Sequence, residues 1–356
     1  MGESPNNRHP VDASQREQTR RTPTTVVRLD KNENPFDVPR AIKDEILRRL
    51  AAVPWSRFPE PRPEGVVERL AAFNHCDPDH IVVGNGSTQL LQVLLEVVTD
   101  GPTRILVPEP TVGPLSGIAR MVNADVMGVP MTEALQFNVP KLCSRAVAMK
   151  IEMVVIGSPH DPTGCVMAEP DLVTLLNTSP GIVVVDESYY EFAHKTFAPL
   201  VAKYPRLVIL RTFSIALGLA GLRIGYLLTS PHLAQRINER MLPGAIGIVS
   251  ALAAEVAIDM YDHFRAQIEK LISERERVYA ALQRMSGVKP VPSHANFMVV
   301  RTELTGRQLS QLLREKGILV YDLSRHPTLT NAIRVSIGAP QENDLFLAAM
   351  GEIFAR

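Results

Sequence analysis

Four stretches of this sequence put anion-holding or proton-moving side chains where an apolar run stops. In GNGSTQLL, residues 84 to 91, the glycines permit a tight turn and Ser87 or Thr88 can cap the helix that follows. Free amides at such a helix start suit a phosphate, although capped turns of this kind are also ordinary structure. In VVVDESYY, residues 183 to 190, the acid Asp186 ends a buried run with Tyr189 three residues on. A carboxylate there faces a cleft or a cationic partner, and a plain capping or salt-bridge role fits it equally well. In RTFSIALGLAGLRIGY, residues 211 to 226, Ser214 offers a hydroxyl and Arg223 a forked guanidinium matched to phosphate or carboxylate. Arg334, inside the apolar AIRVSIG, invites the same reading, and each arginine alone could be structural.

The elements that must carry these groups follow from hydrophobic period. RILVPEP, MVVIGSPHDPTG, GIVVVDESYY and RLVILRTFS are continuous apolar runs, each stopped by a polar or Gly/Pro-rich turn. Unbroken hydrophobicity marks strands covered on both faces, as in a mostly parallel sheet between helices. RAIKDEILRRLAAV places Ile42, Ile46, Leu47 and Leu50 on one helical stripe, and QLLQVLLEVV is a second helix. After residue 242 a small-residue helix, a long helix with Phe264, Ile268, Leu271, Ile272, Val278 and Leu282 inward, and the strands NFMVVR and AIRVSIG form a smaller α+β unit. The fold class is α/β: a flexible arm at residues 1–27, a large domain at 28–242 and a small C-terminal domain at 243–356. The arm carries Arg16, Arg20 and Arg21 but few large apolar side chains, so ordering it would cost entropy with little burial in return.

Bulk properties narrow the partners. The 356 residues are 45% hydrophobic, enough for a large core, and Lys+Arg and Asp+Glu both number 38, so no net field draws nucleic acid or an acidic membrane. Cys76, Cys143 and Cys165 share no metal-ligand spacing and cannot all pair, which fits reduced thiols in a cytoplasmic protein. Neither a membrane span nor a signal peptide is legible. The expected partner is a small molecule, with no metal.

Taken in order, the motifs RLDKNENP (28–35), RFPEPRPEGVVERLA (57–71), VVGNGSTQLL, VPEPT, SPHDPTG (158–164), VVVDESYYEF, RTFS…GLAGLRIGY, SHANF and IRVSIG resemble the fold-type-I pyridoxal-phosphate (PLP) aminotransferases, most closely the histidinol-phosphate aminotransferase branch. The resemblance runs from about residue 28 to the C-terminus. It implies that Gly86, Ser87, Thr88, Ser214 and Arg223 hold a cofactor phosphate, that Asp186 pairs with the pyridine nitrogen, and that Tyr189 bonds the ring oxygen. It also implies that Arg334 grips a substrate carboxylate through two parallel bonds, with Asn34 in support. A homodimer with the cavity at its interface is expected on the same ground.

Departures from that pattern cluster around the ring. Ile215 stands where the family has its Schiff-base lysine, and an alkyl group can neither bond covalently to the cofactor nor move a proton. Val112 replaces a stacking aromatic, Asp161 an asparagine, Phe58 a tyrosine that reaches toward the neighbouring subunit, and Tyr321 an arginine of distal substrate recognition. Three readings follow. One is an enzyme of amino-acid-related or specialised biosynthesis, acting on a small ligand with carboxylate or phosphate groups without a lysine-bound cofactor; His160 and Asp161 are its candidate acid and base, beside Tyr189. The second uses PLP or pyridoxamine phosphate non-covalently. The third is a non-catalytic relative that binds a metabolite or partner subunit. Lys31 is a further amine within reach of the cavity in principle, and a solvent-facing lysine is the plainer expectation for it.

Overall fold

The computed structural model describes residues 26–98 and 103–355; Arg16, Arg20 and Arg21 of the expected arm lie outside them. Twelve strands occur among these residues: β1 (Val27–Leu29), β2 (Ile81–Gly84), β3 (Arg104–Glu109), β4 (Asp125–Pro130), β5 (Met153–Gly157), β6 (Ile182–Asp186), β7 (Leu207–Thr212), β8 (Gly225–Leu228), β9 (Val288–Pro290), β10 (Phe297–Thr302), β11 (Ile318–Asp322) and β12 (Ala332–Ser336). Seven form one sheet in the order β2-β8-β7-β6-β5-β3-β4, parallel except for β8. The α/β reading therefore holds, and the runs MVVIG, IVVVD and LVILRT are its central strands.

Why these runs lack alternation is visible in the core. Side chains on a strand point alternately to opposite faces. On β6, Val183 and Val185 enter the cluster containing Leu172, Leu175 and Phe192, whereas Val184 enters the opposite one with Leu90, Leu94 and Ile118. Both faces being covered by helices, both sets must be apolar. The helix Arg40–Ala52 buries Ile42, Ile46 and Leu50, but Leu47 is 62% exposed, a correction to the predicted stripe. One residue beyond Ile46 is a rotation of about 100° around the axis, which carries Leu47 off the buried face.

Register brings the site together. Gly157 pairs with Asp186, Asp186 with Leu210, Thr212 with Gly225 and Gly225 with Gly84. The carboxyl ends of β2, β5, β6 and β7 thus share one sheet edge, where ligands of open α/β sheets bind. The second sheet, β1-β11-β12-β10-β9, packs with the helices Asp262–Gln283 and Gly306–Glu315. Its edge strand β1 runs parallel to β11, with Val27 opposite Ile318. The N-terminal segment is hydrogen-bonded to the smaller sheet, and from there the chain passes Asp30 to Asn34 along the cavity.

Candidate active site

At the carboxyl end of β2 the chain turns through Gly86, at φ +83°, into the helix Ser87–Val98. The first amides of a helix have no intrahelical acceptor and face outward as donors. Arg223, itself left-handed at φ +52°, lays its guanidinium over this turn, where a Cβ on Gly86 would stand 2.6 Å from Nη2. Its Nη1 donates to Ser214 Oγ at 3.3 Å and to the Ala220 carbonyl at 3.1 Å. Gly225 lets β8 pass close beneath, since a Cβ there would meet the Ser87 nitrogen at 2.7 Å. Gly86, Ser87, Thr88, Ser214 and Arg223 are brought into one cup of donors, in which a phosphate group would find a guanidinium, hydroxyls and helix-start amides together.

Across the same cavity lies Asp186. Its Oδ1 accepts from the Ser188 amide at 2.9 Å and from Ser188 Oγ at 2.5 Å. Burial pushes this carboxyl above its ordinary range, more than the Ser188 bonds pull it down. The cavity between them, about 410 Å³, is also lined by Lys31, Val112, His160, Asp161, Tyr189 and Ile215. A larger hollow of about 720 Å³, between the ends of β3 and β4 and strands β9 and β10, carries none of these groups.

The wall toward the smaller sheet is a closed network. Arg334 Nη1 donates to both oxygens of Asp161, at 2.5 and 2.7 Å, and Nη2 donates to the Asp30 carbonyl at 2.9 Å. Tyr189 OH donates to Asp161 Oδ2 at 3.1 Å and accepts from Asn32 Nδ2 at 3.0 Å; the same amide reaches Asp161 Oδ2 at 3.2 Å. Burial holds the Tyr189 phenol well above its usual range, so it stays a donor. The Tyr321 ring lies 4.6 Å from the Arg334 guanidinium and that of Phe297 at 5.4 Å. The two bonds expected from Arg334 to a ligand carboxylate are therefore made to Asp161. Arg334 is not part of the cavity lining, and Asp161 is.

Two other predicted residues have their polar atoms engaged elsewhere. Asn34 donates to the Ala216 carbonyl at 2.9 Å and accepts from the Phe36 amide at 3.0 Å, so it shapes its own turn and ties down the loop after Ser214. Asn32, which sequence reasoning passed over in the same NENP stretch, takes the place beside Asp161. It is buried at φ +57° and fixed by Ser336 and Asn296. His160 is also buried, its ring nitrogens 3.1 Å from Thr111 Oγ1 and 3.0 Å from Thr163 Oγ1. Burial lowers it to about 3, so the ring is neutral at physiological pH and braces the turn that carries Asp161. Beneath the site Arg211, 2% exposed, donates from Nε to Glu187 at 2.9 Å and lies 3.9 Å from the Tyr190 ring. That pair was also missed, although a cation inside the apolar LVILR was its signal. Among the described residues no cluster of three or more metal-ligating side chains occurs, and no helix is long and apolar enough to cross a membrane.

Comparison with known proteins follows the same lines. The family model "Aminotransferase class I and II" matches residues 24–350. The chain is similar to a histidinol-phosphate aminotransferase of Chlorobium luteolum, 35% identical over 89% of each chain, and to one of Thermococcus gammatolerans, 36% identical over 92% of each. Among solved structures it resembles the histidinol-phosphate aminotransferase of Sinorhizobium meliloti in complex with pyridoxal-5'-phosphate, at a TM-score of 0.85 and 23% identity, covering 93% of this chain and 91% of that one. The L-threonine-O-3-phosphate decarboxylase of Porphyromonas gingivalis shares the fold at a TM-score of 0.80 and 23% identity, covering 93% and 100%.

Proposed function

This chain belongs to the class I and II aminotransferase family, and on that premise we propose that its cavity holds PLP or pyridoxamine phosphate reversibly, without a bond to the protein, in an enzyme acting on a small amino-acid-related ligand. The observation that carries the reading is the donor cup of Gly86, Ser87, Ser214 and Arg223 facing Asp186 across one cavity. The residues present fit the phosphate and the ring nitrogen of such a cofactor. They do not fit a covalent anchor at position 215, where an alkyl side chain lines the wall. Among the described residues lining the cavity, Lys31 is the one lysine.

In this reading Arg223 and the first amides of the helix Ser87–Val98 neutralise the phosphate, and Asp186 supplies the countercharge for a protonated ring nitrogen. A bound ring of this kind serves as an electron sink. Tyr189 keeps its proton and donates it in a hydrogen bond to Asp161, and His160 stiffens the turn bearing Asp161 as a neutral group. A second copy of the chain is the expected partner. Trp55, Phe58 and Leu242 are 71%, 100% and 72% exposed, and Phe58 borders an apolar groove with Ile246, Ile248 and Leu252.

The test is absorption spectroscopy of the purified protein titrated with PLP and with pyridoxamine phosphate, followed by borohydride reduction and intact mass. Saturable binding without a fixed adduct, weakened in Arg223→Ala, supports the proposal. A stoichiometric adduct on Lys31 or any other lysine overturns the non-covalent reading, and no binding of either form removes the cofactor.

A further inference from the structure

We infer that Asp161 sets substrate class: the ligand end that meets the smaller-sheet wall carries an ammonium or hydroxyl donor and no carboxylate or phosphate. This inference rests on the cofactor reading above for the rest of the ligand.

The guanidinium of Arg334 is 4% exposed as a residue, its Nη1 is engaged by both oxygens of Asp161, and its Nη2 by the Asp30 carbonyl. Its Nε is buried with no hydrogen-bond partner, so that edge is shut away from the cavity. A planar guanidinium has a fixed fork of donors, and here the accessible part of the fork already holds a carboxylate belonging to the chain. What the cavity sees at this end is the acceptor, Asp161, not the cation.

An incoming carboxylate would have to expel Asp161, and the turn resists that. The His160 amide donates to the Cys165 carbonyl at 2.8 Å, the Gly164 amide to the His160 carbonyl at 2.6 Å, and the Val112 amide to the Asp161 carbonyl at 3.1 Å. The His160 ring is held by Thr111 and Thr163, and Asp161 itself also receives Tyr189 and Asn32. Two carboxylates sharing one guanidinium at this depth would repel, a like-charge juxtaposition that interfaces use to reject wrong partners. An ammonium or hydroxyl meets the opposite situation: carboxylate lone pairs on a wall that can accept a further donor.

The discriminating probes are two stable conjugates that share the phosphopyridoxyl group, phosphopyridoxyl-ethanolamine, which ends in a hydroxyl, and phosphopyridoxyl-alanine, which ends in a carboxylate, with pyridoxamine phosphate as reference. Calorimetric titration of the wild type should favour the ethanolamine conjugate by about tenfold or more, and Asp161→Asn, which frees the fork of Arg334, should reverse the order. Preference of the wild type for the alanine conjugate, or an unchanged ratio in Asp161→Asn, overturns the inference while leaving the cofactor reading intact. If pyridoxamine phosphate and both conjugates fail to bind, the cofactor reading falls and takes the inference with it. On the unliganded protein, a double-mutant cycle of Asp161→Asn and Arg334→Gln in urea must show coupling between the two positions, and additive effects sink the inference on their own.

Discussion

Gly86 and Arg223 interlock: the space that a methyl on Gly86 would fill, 2.6 Å from Nη2, is the space the guanidinium needs in order to stand over the start of the helix Ser87–Val98. The left-handed backbone of both residues serves this contact. Gly86→Ala should therefore act twice, straining a φ of +83° and pushing Arg223 aside. Its expected effects are a loss of about 1–2 kcal/mol in urea denaturation and weaker binding of pyridoxamine phosphate. Arg223→Ala should separate the two, weakening binding by about tenfold to a hundredfold with stability nearly unchanged, because its own bonds to Ser214 and Ala220 are solvent-exposed. Equal binding in both variants and the wild type would rule out the cup as the phosphate site.

Asp186 predicts a conflict between stability and binding. Its carboxyl is raised by burial, so the folded state favours the protonated form. The stability this group contributes is full below the ordinary carboxylate pKa and is lost as pH rises through the folded value. Asp186→Asn should accordingly melt higher than the wild type at neutral pH and show less decline across that range. The same change should weaken a ligand whose ring nitrogen is protonated. Thermal melts between pH 4 and 8, with and without pyridoxamine phosphate, read both effects; a variant that melts lower without ligand would show that Asp186 is held by favourable contacts instead.

Glu191 makes a similar case away from the cavity. It is 7% exposed, its Oε2 has no hydrogen-bond partner, and burial raises its carboxyl to about 8. A raised acid stabilises the fold while protonated, so stability should fall as pH climbs from about 4.5 toward 8. Glu191→Gln, which keeps the shape of the protonated acid, should flatten that slope. An identical slope in wild type and variant would assign it to other groups.

Ile215→Lys tests whether position 215 is the missing anchor. Since Ile215 lines the cavity together with Asp186 and Arg223, a lysine there should form a borohydride-fixable PLP adduct mapping to residue 215. Formation of the adduct only at Lys31 in this variant would place the cofactor's reactive carbon at the cavity rim.

The strands that build the site were legible because their chemistry is local. An unbroken apolar run ending in Asp186 or in Gly84 announces both a doubly covered strand and the functional end of it, and the structure places those ends on one sheet edge. What escaped was pairing between segments far apart in the chain. Asp161 and Arg334 each looked like a group awaiting a ligand, and only the fold shows that they satisfy one another. Asn32 and Asn34 are two residues apart in one motif, and the backbone conformation that turns Asn32 inward, at φ +57°, leaves no mark in the pattern of residue types. Arg211 and Glu187, 2% and 0% exposed, were hidden for the same reason: a buried pair reads as two separate charges until its partner strand is known.

The seating of β1 has a consequence for how the molecule is made. Val27 to Leu29 find their hydrogen-bonding partners in Ile318 to Val320, residues made long after them. Every strand of the larger sheet precedes that point in the chain, so it can form while the N-terminal strand still waits. Asn32, three residues beyond β1, reaches Tyr189 and Asp161 from a segment that cannot settle until β11 has been made. The nascent protein should thus acquire its larger sheet before its finished pocket, and a chain interrupted before residue 318 would be a folded scaffold with an open wall.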